Sequence, residues 1–254
     1  MDWAEITLFM AILARMSGFI LFNPLLGRRD VPGVFRSGMA MVLAVTVFSM
    51  TEEGPAVPGT IFEMALLLFV EMVMGYILGV AMNFFLYIPL LGGETIDAQM
   101  GMSMGKTYDP GSQTSTSVSA TMLNTMMLLM FFVANGHHTL LRIMMASGQV
   151  VPFGQIRLGQ NLYWAVLELF IDCTILAIKL CMPVLAAELM GQMGMGVLMK
   201  VIPQINIFVI NIDLKVIIGL GLELLLLAPM SEFLLGAEVK MLRSLQDLLM
   251  MMGG

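Results

Sequence analysis

GGETIDAQMGMSMGKTYDPGSQTSTSVSAT, residues Gly92 to Thr121, is the longest polar stretch in the interior of the chain. It lies between two long apolar segments, is rich in glycine and hydroxyl side chains, and carries Glu94, Asp97, Lys106 and Asp109. A connection longer than about 12–15 residues is uncommon in a compact protein and is usually functional or disordered. The stretch therefore reads as a loop that moves or gates, with the apolar segments positioning it.

The surroundings are apolar enough to define the class. Of 254 residues, 59% are hydrophobic and 12% charged, with a mean hydropathy of +0.92. A soluble domain carries about 25% charged residues, so the composition specifies an integral membrane protein. The net charge of −6 leaves no basic stripe to neutralise phosphates and excludes nucleic acid as a partner. At the N-terminus, MDWAEITLFM places Asp2 and Glu5 where a signal peptide carries positive charge, so the first apolar segment is expected to be retained. The 29 methionines fit either compositional drift or a surface that seals against a variable object, since methionine is flexible and polarizable.

Along the chain, Trp3–Phe22 is long enough for one span and ends at Asn23-Pro24. The turn that follows holds Arg28, Arg29 and Arg36 against Asp30, and the positive-inside rule puts it in the cytoplasm. Ser37–Thr51 is short for a span, and Ile61–Leu91 is long, with Gly75 and Gly79 spaced for close helix packing. Beyond the polar stretch come Met122–Ala134, Leu140–Val151, Leu162–Met182, a segment from Pro183 to Met199, and Ile205–Ala228. In the tail, Glu232–Met252, the residues Leu235, Val239, Leu242, Leu245 and Leu249 are expected on one helical face, opposite Lys240, Arg243, Ser244 and Asp247. If every apolar run spanned, the basic residues Arg142 and Arg157 could not share the cytoplasmic side with Lys240 and Arg243. Half-spanning or re-entrant helical hairpins resolve that conflict.

Ionisable residues recur inside the apolar runs. Glu168, Asp172 and Lys179 are spaced i, i+4, i+11 on one helical face. Each costs roughly 2.5–3.5 kcal/mol at a helix centre, so a lipid-facing position is disfavoured. The stripe fits a buried polar seam against another subunit, and as alternatives an ion or proton relay or side chains snorkelling at helix ends. Gly101-Met102-Ser103-Met104-Gly105 matches G-x-S-x-G, but a nucleophile elbow needs a strand before the serine and a helix after it. His137-His138 has no further histidine and no acid or cysteine at ligand spacing, so no metal is expected. Cys173 and Cys181 lie about 12 Å apart on a helix, too far for a disulfide. No P-loop or dinucleotide pattern occurs, and no cofactor is expected.

GGETIDAQMGMSMG, Asp109-Pro110, Asn135-Gly136-His137-His138, Ser147, Pro152, Asn23-Pro24 and Pro203-Gln-Ile-Asn-Ile-Phe with Lys215 together resemble the FliR family. These are integral membrane subunits of the flagellar type III export gate, related to injectisome export subunits. The resemblance implies an all-α membrane protein of kinked and half-spanning helical hairpins, without enzymatic activity, in the bacterial inner membrane at the flagellar basal body. It implies FliP and FliQ as partners in a protein-conducting channel, FlhB facing the tail, and unfolded flagellar proteins as cargo. It further implies a pore plug within about Gly105–Ser117, drawn from Gly105, Lys106, Thr107, Tyr108, Asp109, Pro110, Gly111, Ser112 and Gln113. One membrane domain over 1–254 is expected, divided into hairpins (1–91), plug loop (92–121), hairpins (122–231) and tail helix (232–254). The rivals are an injectisome subunit, a secondary transporter using Glu168, Asp172 and Lys179, though no inverted repeat is found, and a serine hydrolase through Ser103.

Overall fold

The computed structural model describes residues 2–27, 31–51, 54–102, 107–109, 114–156, 159–201 and 207–253. Seven helices are described: α1 (Trp3–Phe22), α2 (Gly33–Met50), α3 (Ile61–Met100), α4 (Val118–Val133), α5 (Gly136–Val150), α6 (Gln160–Val201) and α7 (Ile207–Gly253). A short antiparallel pair, β1 (Thr107–Asp109) and β2 (Thr114–Thr116), lies between α3 and α4, with Tyr108 opposite Ser115. The all-α membrane class holds. Among the described residues, five helices are long and apolar enough to cross a membrane, and α4 with α5 would make a sixth span if taken together.

Local chemistry sets the helix ends. Glu5 folds back on the start of α1, its Oε2 accepting from the Asp2 backbone N–H at 3.1 Å. At the other end the Asn23 side chain accepts from the backbone N–H groups of Leu25 and Leu26 at 2.8 and 3.0 Å, which turns the chain at Asn23-Pro24. Asn135 adopts a left-handed conformation (φ 57°) and separates α4 from α5; asparagine tolerates this region better than most residues.

Three boundaries differ from the sequence reading. Residues 92–100 are helical and complete α3, so the interhelical connection is shorter than composition suggests. Pro183 lies inside a single 42-residue α6. The tail is continuous with the preceding apolar run in the 47-residue α7, which contains Pro229. A proline in a helix removes one backbone hydrogen bond and strains the preceding turn, yet each of these helices continues past its proline. At about 1.5 Å per residue, α3, α6 and α7 are each roughly 60–70 Å long, about twice a bilayer's hydrocarbon thickness.

The chain divides into two compact units, and α3, α6 and α7 each contribute a segment to both. Unit 1 comprises Met1–Phe85, Ala134–Ile171 and Glu238–Gly254. Its core includes Ile12, Met16 and Phe19 of α1, Val47 of α2, Met74, Leu78 and Phe85 of α3, Met144 of α5 and Met241 and Met252 of α7. The spacing of Gly75 and Gly79 has its expected consequence here. A Cβ on Gly79 would stand 2.9 Å from the carbonyl carbon of Phe22, and one on Gly75 would press into the backbone of Arg15 and Phe19. Only glycine lets α1 and α3 approach this closely.

Unit 2 comprises Leu86–Val133 and Asp172–Ala237. Ile96 and Met100 of α3, Leu123 and Met127 of α4, Leu180 and Val184 of α6 and Met230 and Leu234 of α7 are buried. Gly92 faces Leu180, and Gly93 lies against the backbone of Ala120. The glycine pair that looked like a loop signal is thus a helix-packing device.

The tail face is rotated from its expected position. Leu234, Ala237, Met241, Leu245, Leu248 and Met252 are buried, whereas Leu235 and Val239 are exposed. Leu245 and Leu249 are buried as expected.

Candidate functional site

Two buried polar clusters stand out, one in each unit. In unit 1, Arg15 is wholly buried, a position a guanidinium occupies only when its charge is paired. Its Nε donates to Glu71 Oε2 at 2.7 Å. Its Nη1 donates to the carbonyl oxygens of Ser147 and Val151 at 3.1 and 3.0 Å. The guanidinium carbon lies 4.0 Å from the centre of the Phe153 ring, a cation–π contact. The second oxygen of Glu71 accepts from the Gly154 N–H at 2.8 Å. One ion pair therefore holds α1, α3, α5 and the turn after α5.

Gly154 belongs to this construction. Its φ of +81° lies in the left-handed region, and a Cβ would stand 2.8 Å from the Pro55 side chain. Glycine frees the N–H to point at Glu71. The sequence placed Arg15 and Glu71 in apolar runs, but nothing linear joins residues 56 positions apart; opposite charges in two membrane-length segments were the one available signal.

In unit 2, Asp97 in the last turn of α3 reaches the first turn of α4. Its Oδ2 accepts from the Ser119 backbone N–H at 3.0 Å, and Oδ1 pairs with the Ser119 hydroxyl. A carboxylate at a helix N-terminus satisfies an orphan N–H and complements the helix dipole. The same hydroxyl lies 2.9 Å from Glu223 Oε2 of α7. Asp97, Ser119 and Glu223 are all nearly fully buried. The ends of α3 and α4, which bound the polar connection, are thereby tied together and to α7.

Of the residues expected in the plug, Thr107, Tyr108 and Asp109 form β1, while Gly105, Lys106, Pro110, Gly111, Ser112 and Gln113 lie outside the described residues. Ser103 lies outside them as well. The order around it is helix α3, then strand β1, the reverse of a nucleophile elbow. His137 and His138 open α5 with their rings 4.1 Å apart. Cys173 and Cys181 are buried thiols on α6.

The seam residues Glu168, Asp172 and Lys179 all lie on α6, but they are not buried within this chain. Glu168 and Lys179 are exposed and Asp172 is half-buried. The face of α6 that packs inward carries Leu169, Cys173, Ala177, Leu180 and Val184 instead. Each of Glu168, Asp172 and Lys179 is one residue from an inward position, so the three lie beside the packed face rather than on it.

Comparison with known proteins adds the family. The profile of the bacterial export proteins, family 1, matches residues 6–239. The chain belongs to that family. It is 30% identical over 214 residues to the flagellar biosynthetic protein FliR of Bacillus subtilis, covering 83% of this chain and 82% of the relative. It is 29% identical over 234 residues to the FliR protein of Escherichia coli, covering 90% of this chain and 88% of the relative. A more distant relative is the Yop proteins translocation protein T of Yersinia pestis, 22% identical over 210 residues. The matched range takes in Arg15, Glu71, Asp97, Ser119 and Glu223, so both clusters lie within the export-protein domain.

Proposed function

We propose that this chain is a non-enzymatic membrane subunit of the bacterial flagellar protein-export gate. It sits in the inner membrane at the basal body and joins FliP and FliQ in a channel for unfolded flagellar proteins, with FlhB as a further neighbour. The observation that carries the reading is the family match across residues 6–239 in a chain with five membrane-length helices. The exposed charges of Glu168 and Lys179 on an apolar helix support it, because in lipid they are costly and against polar groups of another subunit they are not.

In this reading the connection between α3 and α4 is the pore-closing element. Its plug residues would be drawn from Gly105, Lys106, Thr107, Tyr108, Asp109, Pro110, Gly111, Ser112 and Gln113. The Asp97–Ser119 tie joins its two ends. The methionine side chains accommodate varied surfaces.

Deleting residues 106–113 tests this. The complex isolated with its membrane neighbours should assemble normally and pass ions in a planar bilayer at least tenfold more than wild type. An assembled complex with unchanged conductance would show that the connection is not the gate.

The Yersinia relative raises an injectisome subunit as a second reading. The higher identity to both FliR proteins favours the flagellar one. Restoration of swimming in a FliR-deficient bacterium, without restoration of injectisome secretion, separates the two.

A further inference from the structure

The cluster in unit 2 contains a donor conflict that resolves in one way. A serine hydroxyl has one hydrogen to donate and two lone pairs to accept with. Ser119 Oγ lies within hydrogen-bond distance of two carboxyl oxygens, Asp97 Oδ1 and Glu223 Oε2 at 2.9 Å. With both carboxyls ionised, one of these contacts would set two oxygen acceptors against each other with no hydrogen between them. Both side chains are almost wholly buried, so water does not dilute that repulsion.

We infer that Glu223 carries a proton and donates it to Ser119 Oγ, which in turn donates its own hydrogen to an ionised Asp97. The relay thus runs from Glu223 through Ser119 to Asp97 and holds one exchangeable proton. The geometry assigns the proton to Glu223 rather than Asp97 on two grounds. Asp97 accepts twice from Ser119, at the backbone N–H and the hydroxyl, in the first turn of α4, where a negative charge is favoured. Glu223 makes a single contact, and its other oxygen, Oε1, has no hydrogen-bond partner among the described residues. An ionised carboxylate leaves such an oxygen uncompensated at far greater cost than a neutral acid does.

Among the described residues, no cation forms an ion pair with Glu223. One turn before Glu223, Gly219 lies beside Met100 and the carboxyl of Glu188, itself buried. Lys215 lies two turns before Glu223 on α7, where its charge acts on Glu188. When Glu223 gives up its proton to water, two carboxylates face one hydroxyl, and α7 is released from the junction of α3 and α4. This tie exists whether or not the connection above it closes a pore.

Infrared difference spectroscopy on the full-length chain in detergent tests the assignment. At neutral pH the wild-type spectrum minus that of Glu223→Gln should show loss of one protonated-carboxyl C=O band. Asp97→Asn should retain that band, and Ser119→Ala should shift it upward, since the acid loses its acceptor. Full intensity in Glu223→Gln, or loss of the band in Asp97→Asn alone, would overturn the assignment. If Glu223→Gln does not fold, Ser119→Ala against Ser119→Thr decides. A band shifted by alanine and not by threonine supports the relay, and one shifted by neither refutes it.

Discussion

Arg15 and Glu223 are both ionisable, both buried and both inside membrane-length helices, yet their surroundings are opposite in kind. Around Arg15 the charges balance. A carboxylate, two backbone carbonyls and an aromatic face meet the guanidinium, and the carboxylate's free oxygen is met by the Gly154 N–H. Around Glu223 there is one hydroxyl hydrogen for two carboxyls. The Arg15 Nη2 group has no hydrogen-bond partner among the described residues, but a buried ion pair is still a fixed joint, because breaking it strands a charge. An acid held by a borrowed hydrogen bond can change state by losing a proton. Unit 1 is thus built to hold, and unit 2 contains an element able to let go.

Removing Arg15 should give the largest effect. Arg15→Met leaves Glu71 buried and unpaired, and the loss should be about 3–5 kcal/mol, read as a collapse in thermal stability or in membrane accumulation. Replacing both partners, with Arg15→Met and Glu71→Met, should recover most of that loss, since no buried charge then remains. A double variant as unstable as the single one would show that the pair is not the source of the stability.

A smaller effect is expected at Glu223. The amide of Glu223→Gln can donate to Ser119 as the acid does, so stability should change by less than about 1 kcal/mol. A loss as large as that of Arg15→Met would mean that Glu223 is an ionised partner in a joint of the first kind and would erase the contrast.

The smallest effect on the isolated chain belongs to α6. Glu168→Gln with Lys179→Gln should leave the melting temperature unchanged, because both side chains are exposed there. The same variant should be retained less well by tagged membrane neighbours in a pull-down. Equal retention would remove the seam's role in assembly.

The helices were legible because apolar runs of membrane length admit little else. Trp3–Phe22 and the start of α3 at Ile61 matched the reading residue for residue. The end of α3 was not legible. Gly92 and Gly93 have the chemistry of a loop, and the Glu94 and Asp97 carboxyls reinforce that impression. What keeps them helical is tertiary: close backbone contact with Ala120, burial of Ile96 and Met100, and a cap for α4 from Asp97. The tail face was misplaced for a related reason. The 3.6-residue period offers adjacent apolar stripes, and only packing chooses Leu234, Met241 and Leu248 over Leu235 and Val239.

The two clusters were half legible. Arg15, Glu71 and Glu223 were visible as ionisable residues in apolar segments, and Asp97 and Ser119 as members of the polar stretch, but contacts such as Arg15 with Glu71 or Ser119 with Glu223 span 56 and 104 residues. No local periodicity encodes such a pairing. The charged stripe of Glu168, Asp172 and Lys179 on α6 was visible by spacing, and the exposure of Glu168 and Lys179 followed from where the neighbouring inward face fell.

Native mass spectrometry of the tagged chain, extracted mildly from a membrane containing its genomic neighbours, tests the central claim most directly. The account predicts one copy of this chain inside a large hetero-oligomer, held through the charged face of α6. A stable monomer or homodimer that leaves those neighbours behind would contradict it and point to an ion-coupled transporter.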